Sequence, residues 1–136
     1  MNSGRTEVPV RIYHEDTDAG GVVYHANYLC YMERARTDWL HERGFDHDRV
    51  AREHGVLFVV RSIEIKFQRP ARLGDNLLAV AELAGVRHGL MVFRQSIMRG
   101  PQSLVRAQVT VACVTAKDFT VAVIPPALAH FLGVEG

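Results

Sequence analysis

Lysine is nearly missing from this 136-residue chain: Lys66 and Lys117 are the only two, and the other fourteen of its sixteen basic residues are arginine. Set against 15 carboxylates they leave a formal charge of +1, without the basic excess that neutralising a run of nucleic-acid phosphates requires. No nucleic-acid partner is expected. Long apolar runs are missing too. Stretches such as Val56 to Val60 and Leu77 to Ala81 reach only about five residues, far short of the ~20 that span a bilayer, so no transmembrane segment is expected. Residues Met1 to Glu7 lack the basic start and apolar core of a secretory signal, which makes the cytoplasm the expected location. Cysteine occurs twice, at Cys30 and Cys113, in apolar surroundings and without C-x-x-C spacing. Both are expected to be buried free thiols rather than parts of a disulfide framework.

Several catalytic signatures are also lacking. There is no G-x-S-x-G, hence no serine nucleophile elbow. Gly20-Gly21 is followed by no glycine until Gly44, which excludes a G-x-G-x-x-G or P-loop nucleotide site there. His41-Glu42 begins an H-E-x-x-H, but Phe45 stands where the second histidine is needed. His47, His54, His88 and His130 have no metal-ligand spacing. Neither a metal nor a cofactor is expected.

What is present reads as one globular domain over residues 1–136, with 48% hydrophobic and 23% charged residues. Val8, Val10 and Ile12 alternate with Arg11 and Tyr13, a short strand from Val8 to His14. Glu15 to Gly21 is a loop. From Ala26 to Arg43 the period changes: Tyr28, Met32, Ala35 and Trp39 recur at helical spacing, while Glu33, Arg34, Arg36 and Asp38 fall largely elsewhere. Gly44 follows as a natural C′ residue, free to take the left-handed conformation that ends a helix. Asp46 to His54 has the cap and stop of a short helical turn. Period two then returns through Val56 to Phe67, Leu77 to Val86, Leu90 to Arg99 and Leu104 to Thr115. The last three have short connections between them, which favour antiparallel neighbours. Ala127 to Leu132, after Pro125-Pro126, is expected to form a terminal helical turn. The order implies an α+β fold in which about five antiparallel strands cover one long helix. Such a sheet keeps an open edge, so pairing of copies is expected.

The densest polar segment runs from Tyr13 to Tyr28 and leads straight into the long helix. The N–H groups at a helix start have no intrahelical partners and lie at the positive end of the macrodipole, so the backbone near Tyr24 and His25 is suited to polarise a carbonyl oxygen. Asp18, a few residues upstream, supplies a base or nucleophile beside such donors, the pairing that acyl transfer or hydrolysis needs. The same spacing allows a plainer reading, in which Asp16, Thr17 and Asp18 bond only to their own turn and the helix start. His25 is open in the same way between facing a substrate and starting the helix.

Y-H-E-D-T-D-A-G-G-V-V-Y-H-A-N-Y, followed by Y-M-E-R-A-R-T-D-W-L and later by V-V-R-S-I-E-I-K-F-Q-R-P-A-R-L-G-D, closely resembles the Tol-Pal-associated acyl-CoA thioesterases. These are the YbgC-like members of the 4-hydroxybenzoyl-CoA thioesterase family, and the resemblance covers nearly the whole chain. It implies a hotdog fold, an antiparallel sheet wrapped around a central helix, with dimers that form a continuous sheet and often pair into homotetramers. It implies hydrolysis of acyl-CoA to a free acid and CoA. It carries the catalytic carboxylate onto Asp18 and the carbonyl-polarising N–H onto His25 or Tyr24, and it places Tyr13 and the His25 side chain in the same pocket. His14 departs from the pattern, since close relatives commonly carry Tyr there. The resemblance also brings in acyl carrier protein as a further partner and a peripheral association with the inner membrane. For the CoA phosphates, Arg87 with His88 is the first candidate pair, with Arg61, Arg69 and Arg72 behind it. Two rival readings stand beside hydrolysis. One is a scaffold that binds acyl carrier protein or envelope-system partners with little turnover; the other is a dehydratase using His25 and Asp18 on the same fold.

Overall fold

The computed structural model describes residues 4–126. The expected terminal turn at residues 127–132, and His130 within it, lie outside them. The elements follow the order β1 (Arg5–Arg11), a 3-10 turn (His14–Asp16), α1 (Asn27–Glu42), α2 (His47–His54), β2 (Val56–Phe67), β3 (Asn76–Arg87), β4 (Leu90–Arg99) and β5 (Gln102–Thr115). The strands form one antiparallel sheet in the order β1-β3-β4-β5-β2.

Two features of this order position the site. First, β1 is an edge strand, which is why Pro9 is tolerated inside it. It begins three residues earlier than the alternation suggested and ends at Arg11, because the Tyr13 N–H turns away to the Asp16 carboxylate (2.8 Å). Second, β2 does not pair with β3. Residues 68–75 carry the chain away from β2, which pairs with β5 at the opposite edge of the sheet.

α1 buries Tyr28, Met32, Ala35 and Trp39, the stripe read from the sequence, and rests mainly on β1, β3 and β4. Burying each such large apolar side chain contributes roughly 1.5–3 kcal/mol. The Trp39 ring meets Phe93 edge-on at 5.3 Å, its indole N–H donates to the Gly4 carbonyl (2.9 Å), and the Arg43 guanidinium lies 4.1 Å above it. Arg36 departs from the expected polar face. It is buried, and its Nη1 donates to Gln95 Oε1 (2.9 Å), while Gln95 Nε2 donates to the Met32 carbonyl (2.9 Å). The long aliphatic stem lets arginine cover apolar surface, and a buried amide oxygen supplies its head with a partner.

Asp46 caps α2 by accepting the Arg49 N–H (2.8 Å), and the helix stops at Gly55, as expected. The β3–β4 turn holds His88 at φ 49° and Gly89 at φ 80°, the two positive values of a type I′ hairpin. A Cβ on Gly89 would lie 2.5 Å from the Ala122 carbonyl oxygen, so close approach as well as conformation requires glycine there. Cys113 is buried, and burial pushes its thiol up to about 11. Cys30 corrects the expectation: it is exposed, because at 100° per residue it falls on the face of α1 opposite the buried Met32 and Trp39.

Candidate active site

Between β1 and α1 the chain folds back as a narrow antiparallel loop. Tyr24 N–H donates to the Asp16 carbonyl (2.9 Å), Thr17 bridges Val23, and Asp18 N–H donates to the Val22 carbonyl (2.9 Å). Asp18 is therefore held opposite Val22, three residues before His25. Its Oδ1 accepts the Gly20 N–H at 2.8 Å, an Asx turn in which Oδ2 accepts from no described residue. The carboxylate is exposed.

A second segment clamps this loop from the side. Residues 68–75, which contain R-P-A-R-L-G-D, pass against it: Val23 N–H donates to the Ala71 carbonyl (2.9 Å), Ala71 N–H to the Tyr28 hydroxyl (3.0 Å), and Val22 bridges Arg72. Burial raises the Tyr28 phenol above its ordinary value, against the pull of the Ala71 N–H. Asp75 closes the segment by accepting the Arg72 N–H (2.9 Å) and Arg99 Nη1 (2.8 Å). Gly74 N–H and Ile12 N–H exchange bonds across to the end of β1, with the Ile12 and Asp75 carbonyls at 3.0 Å each.

The start of α1 is open. It has no side-chain cap, and its first turn contains no acidic residue. Asn27 N–H donates to the Tyr24 carbonyl (2.8 Å), Tyr28 N–H to His25 (3.3 Å) and Leu29 N–H to Ala26 (3.1 Å), so the helix tightens as it begins. The N–H groups of His25 and Ala26 donate to no described residue. Beside them lies a cavity of about 260 Å³ lined by Val23, His25, Tyr28, Phe67 and residues 68–70. Its walls are largely aromatic: His25 meets Phe67 edge-on at 6.2 Å, and Tyr28 lies 5.9 Å from Phe67. A carboxylate, free backbone donors at the positive end of a helix and an apolar pocket form an arrangement that can polarise a carbonyl and activate or deliver a nucleophile to it.

The residues named from the sequence divide accordingly. Asp18, Tyr24, His25 and Tyr13 share the loop and the helix start; Tyr13 and Tyr24 are exposed at its surface. The Tyr24 N–H is occupied by Asp16, which leaves the His25 N–H as the open donor of the two. Arg69 lines the cavity and Arg72 lies beside Val22, whereas Arg61 stands exposed on β2. Arg87 and His88 sit in the turn at the far end of β3, eleven residues from Asn76, or about 35 Å at strand spacing. Within one chain they do not approach Asp18. The sequence reading passed over Tyr28, Phe67 and Ala71 as site components. Tyr28 closes the polar segment and belongs to the buried stripe of the helix, but its hydroxyl contact depends on a segment more than forty residues away.

A fold of this layout with this site defines a class, and comparison with known proteins agrees. The thioesterase superfamily model matches residues 20–106, and the chain belongs to that family; its sheet-over-helix arrangement is the hotdog fold. Acyl-CoA thioesterase YbgC of Haemophilus influenzae is 44% identical over 106 residues, 78% of each chain. Acyl-CoA thioester hydrolase YbgC of Escherichia coli O157:H7 is 44% identical over 115 residues, 84% of this chain and 85% of that one. Among solved structures, a probable thioesterase from Bartonella henselae superposes with a TM-score of 0.82 at 32% identity, covering 89% of this chain and 99% of that one.

Proposed function

We propose that the protein hydrolyses acyl-CoA thioesters to a free carboxylic acid and CoA, with Asp18 as nucleophile or general base and the His25 N–H polarising the carbonyl. The observation that carries the reading is the pairing of an exposed Asp18 carboxylate with an uncapped helix start whose His25 N–H is open. The names of the 44%-identical relatives supply the acyl-CoA substrate class.

The acyl carbonyl oxygen sits against the His25 N–H, and the acyl group enters the cavity walled by Tyr28 and Phe67. In the general-base route Asp18 takes a proton from water, the hydroxide adds to the carbonyl carbon, and the tetrahedral intermediate collapses with loss of CoA thiolate, which is then protonated. In the nucleophilic route an Asp18 oxygen adds instead, thiolate leaves, and water cleaves the resulting anhydride to restore the carboxylate. A thiolate is a good leaving group, so neither route needs a strong general acid. A single oxyanion donor of this kind accounts for about 10² to 10³ in rate.

Further parts of the reading follow from the resemblance. Copies pair through β2 into dimers and then a homotetramer, and the enzyme works in the cytoplasm as one hotdog domain. Tyr13 and the His25 side chain line the pocket. Arg69 and Arg72 flank its mouth for CoA phosphates, and Arg87 with His88 serve a site of this kind only from a second subunit. Thiol release from a panel of acyl-CoAs, short-chain, aromatic and palmitoyl, tests the proposal. Wild-type turnover that falls more than ~10²-fold in Asp18→Asn is the expected result. Equal turnover by both proteins removes Asp18 from its role, and no turnover with any member moves the function to a binding protein or to carrier-protein thioesters.

A further inference from the structure

The first aspartate of D-T-D is built into the molecule quite differently from the second. Asp18 makes one side-chain bond, to Gly20 two residues away. Asp16 is half-buried and engages both carboxylate oxygens: Oδ2 accepts the Tyr13 N–H at 2.8 Å, and Oδ1 accepts Asn27 Nδ2 at 3.3 Å. Its main-chain carbonyl accepts the Tyr24 N–H at 2.9 Å and Asn27 Nδ2 again at 3.3 Å. One residue thus joins the end of the 3-10 turn, the base of the Asp18 loop and the first turn of α1. Beside it stands the buried Tyr31 hydroxyl, within reach of the Asp16 and Asn27 side chains. Burial, and then the Asp16 carboxylate, hold that phenol well above its ordinary value.

These contacts bear on the two groups whose spacing decides the chemistry. Asp18 rides on the loop, and the His25 N–H rides on the helix start. Among the described residues, Asp16 with Asn27 is the side-chain tie between these two pieces. The Asp16 main-chain carbonyl occupies the Tyr24 N–H and leaves that of His25 free, and the carboxylate ties to Tyr13 and Asn27 hold that carbonyl in place. We infer that Asp16 is a positioning residue, holding the start of α1 so that the His25 N–H stays open at a fixed distance from Asp18. The inference rests on the hydrolytic reading above. Asp16 itself touches no substrate; it acts through the two groups that do.

Misplacing a reacting group by about 1 Å costs on the order of 10² in rate. Asp16→Ala is expected to lower kcat about 10- to 10²-fold while KM stays within about threefold. Asp16→Asn keeps an oxygen for the Tyr13 N–H and is expected to recover much of the loss. Asn27→Ala cuts the same tie from the other side. The double variant Asp16→Ala with Asn27→Ala should be no slower than the slower single one, because groups acting as a unit are not additive. Fluorescence of the single tryptophan, Trp39, reports whether each variant is folded.

Amide hydrogen exchange gives a readout independent of turnover. In Asp16→Ala the Tyr13 N–H loses its carboxylate acceptor, and the Tyr24 N–H keeps its carbonyl but is no longer held to it by the side-chain ties, so both should exchange faster than in wild type, with Leu40 and other late α1 amides unchanged. Full kcat in a folded Asp16→Ala, a loss confined to KM, or unchanged exchange at Tyr24 overturns the inference. Should wild type release no thiol at all, the hydrolytic reading falls, and exchange at Tyr24 still decides whether Asp16 holds the helix start. If Asp16→Ala does not fold, Asp16→Asn and Asn27→Ala carry the same comparison.

Discussion

Single residues in this protein are governed by which side of α1 or of a strand they fall on, and the two cysteines give a direct test. Cys113 is enclosed, with its thiol pushed up to about 11 by burial, whereas Cys30 is exposed. The thiolate is the reactive form. A thiol reagent at neutral pH should therefore label one cysteine per chain quickly and the second only on unfolding in denaturant. Mass mapping to Cys30 is the expected outcome, and rapid double labelling would contradict the burial of Cys113. Both residues look alike in the sequence, each among apolar neighbours, because local composition does not report helical phase. Arg36 shows the same limit from the other direction. Its charge argued for solvent, but a buried Gln95 on β4, fifty-nine positions away, supplies its partner. Asp16 and Asp18, two letters apart, are distinguished only by what the fold brings to them. Asp18 was legible as a carboxylate ahead of a helix start; the ties of Asp16 to Tyr13, Tyr24 and Asn27 were not.

Among the elements, α1 was the most legible, since a stripe at 28, 32, 35 and 39 has few alternatives. Its missing cap was less so, although no Ser, Thr or Asp precedes Asn27 closely enough to serve. Residues 68–75 were the least legible. Pro70 and Gly74 mark a break between strands, yet nothing local says that the chain crosses from one sheet edge toward the other. That crossing turns a connection into the clamp on the Asp18 loop. Asp75 is its closing bond, and the pH dependence follows from its carboxyl. Burial works to raise the carboxyl, but the Arg72 N–H and the Arg99 guanidinium outweigh it and hold the value below the ordinary 3.8. The folded state thus binds the proton less readily than the unfolded one. The contribution to stability is complete above about 3.8 and is lost as the pH falls through the depressed folded value. Asp75→Asn should lower stability in urea melts at neutral pH by about 1 kcal/mol, allowing for the partial exposure of both partners. The difference from wild type should shrink toward zero in strong acid. A gap that persists unchanged at low pH would mean that packing of the turn, rather than the charged bond, sustains the clamp.

At the scale of the whole molecule the β2 edge governs assembly. β2 is a twelve-residue strand bonded to β5 on one side only, and a long unpaired edge is a template for pairing with another chain. Its helix-side residues Ile63 and Ile65 are only partly covered, and Val60 and Phe67 are 45% and 51% exposed. Phe67 also walls the cavity beside His25, so a copy bound along this edge would close the pocket at its open flank. The α+β layout made an exposed edge predictable from strand count, but which strand carries it depends on the β2–β5 pairing, which joins segments as far apart in the chain as Val56 and Thr115. Sedimentation should give an assembly of at least two 15.2 kDa chains. Val60→Lys places a charge where the apolar edge would be covered, and a cost of about 1.4 kcal/mol weakens association tenfold. Dimer dissociation should shift by that factor or more, and thioester turnover per chain should fall in step with the monomer fraction. A monomeric variant that keeps full turnover would mean that the pocket is complete within one chain. A wild type that sediments as a monomer would mean that the exposed apolar row on β2 serves something other than a second copy.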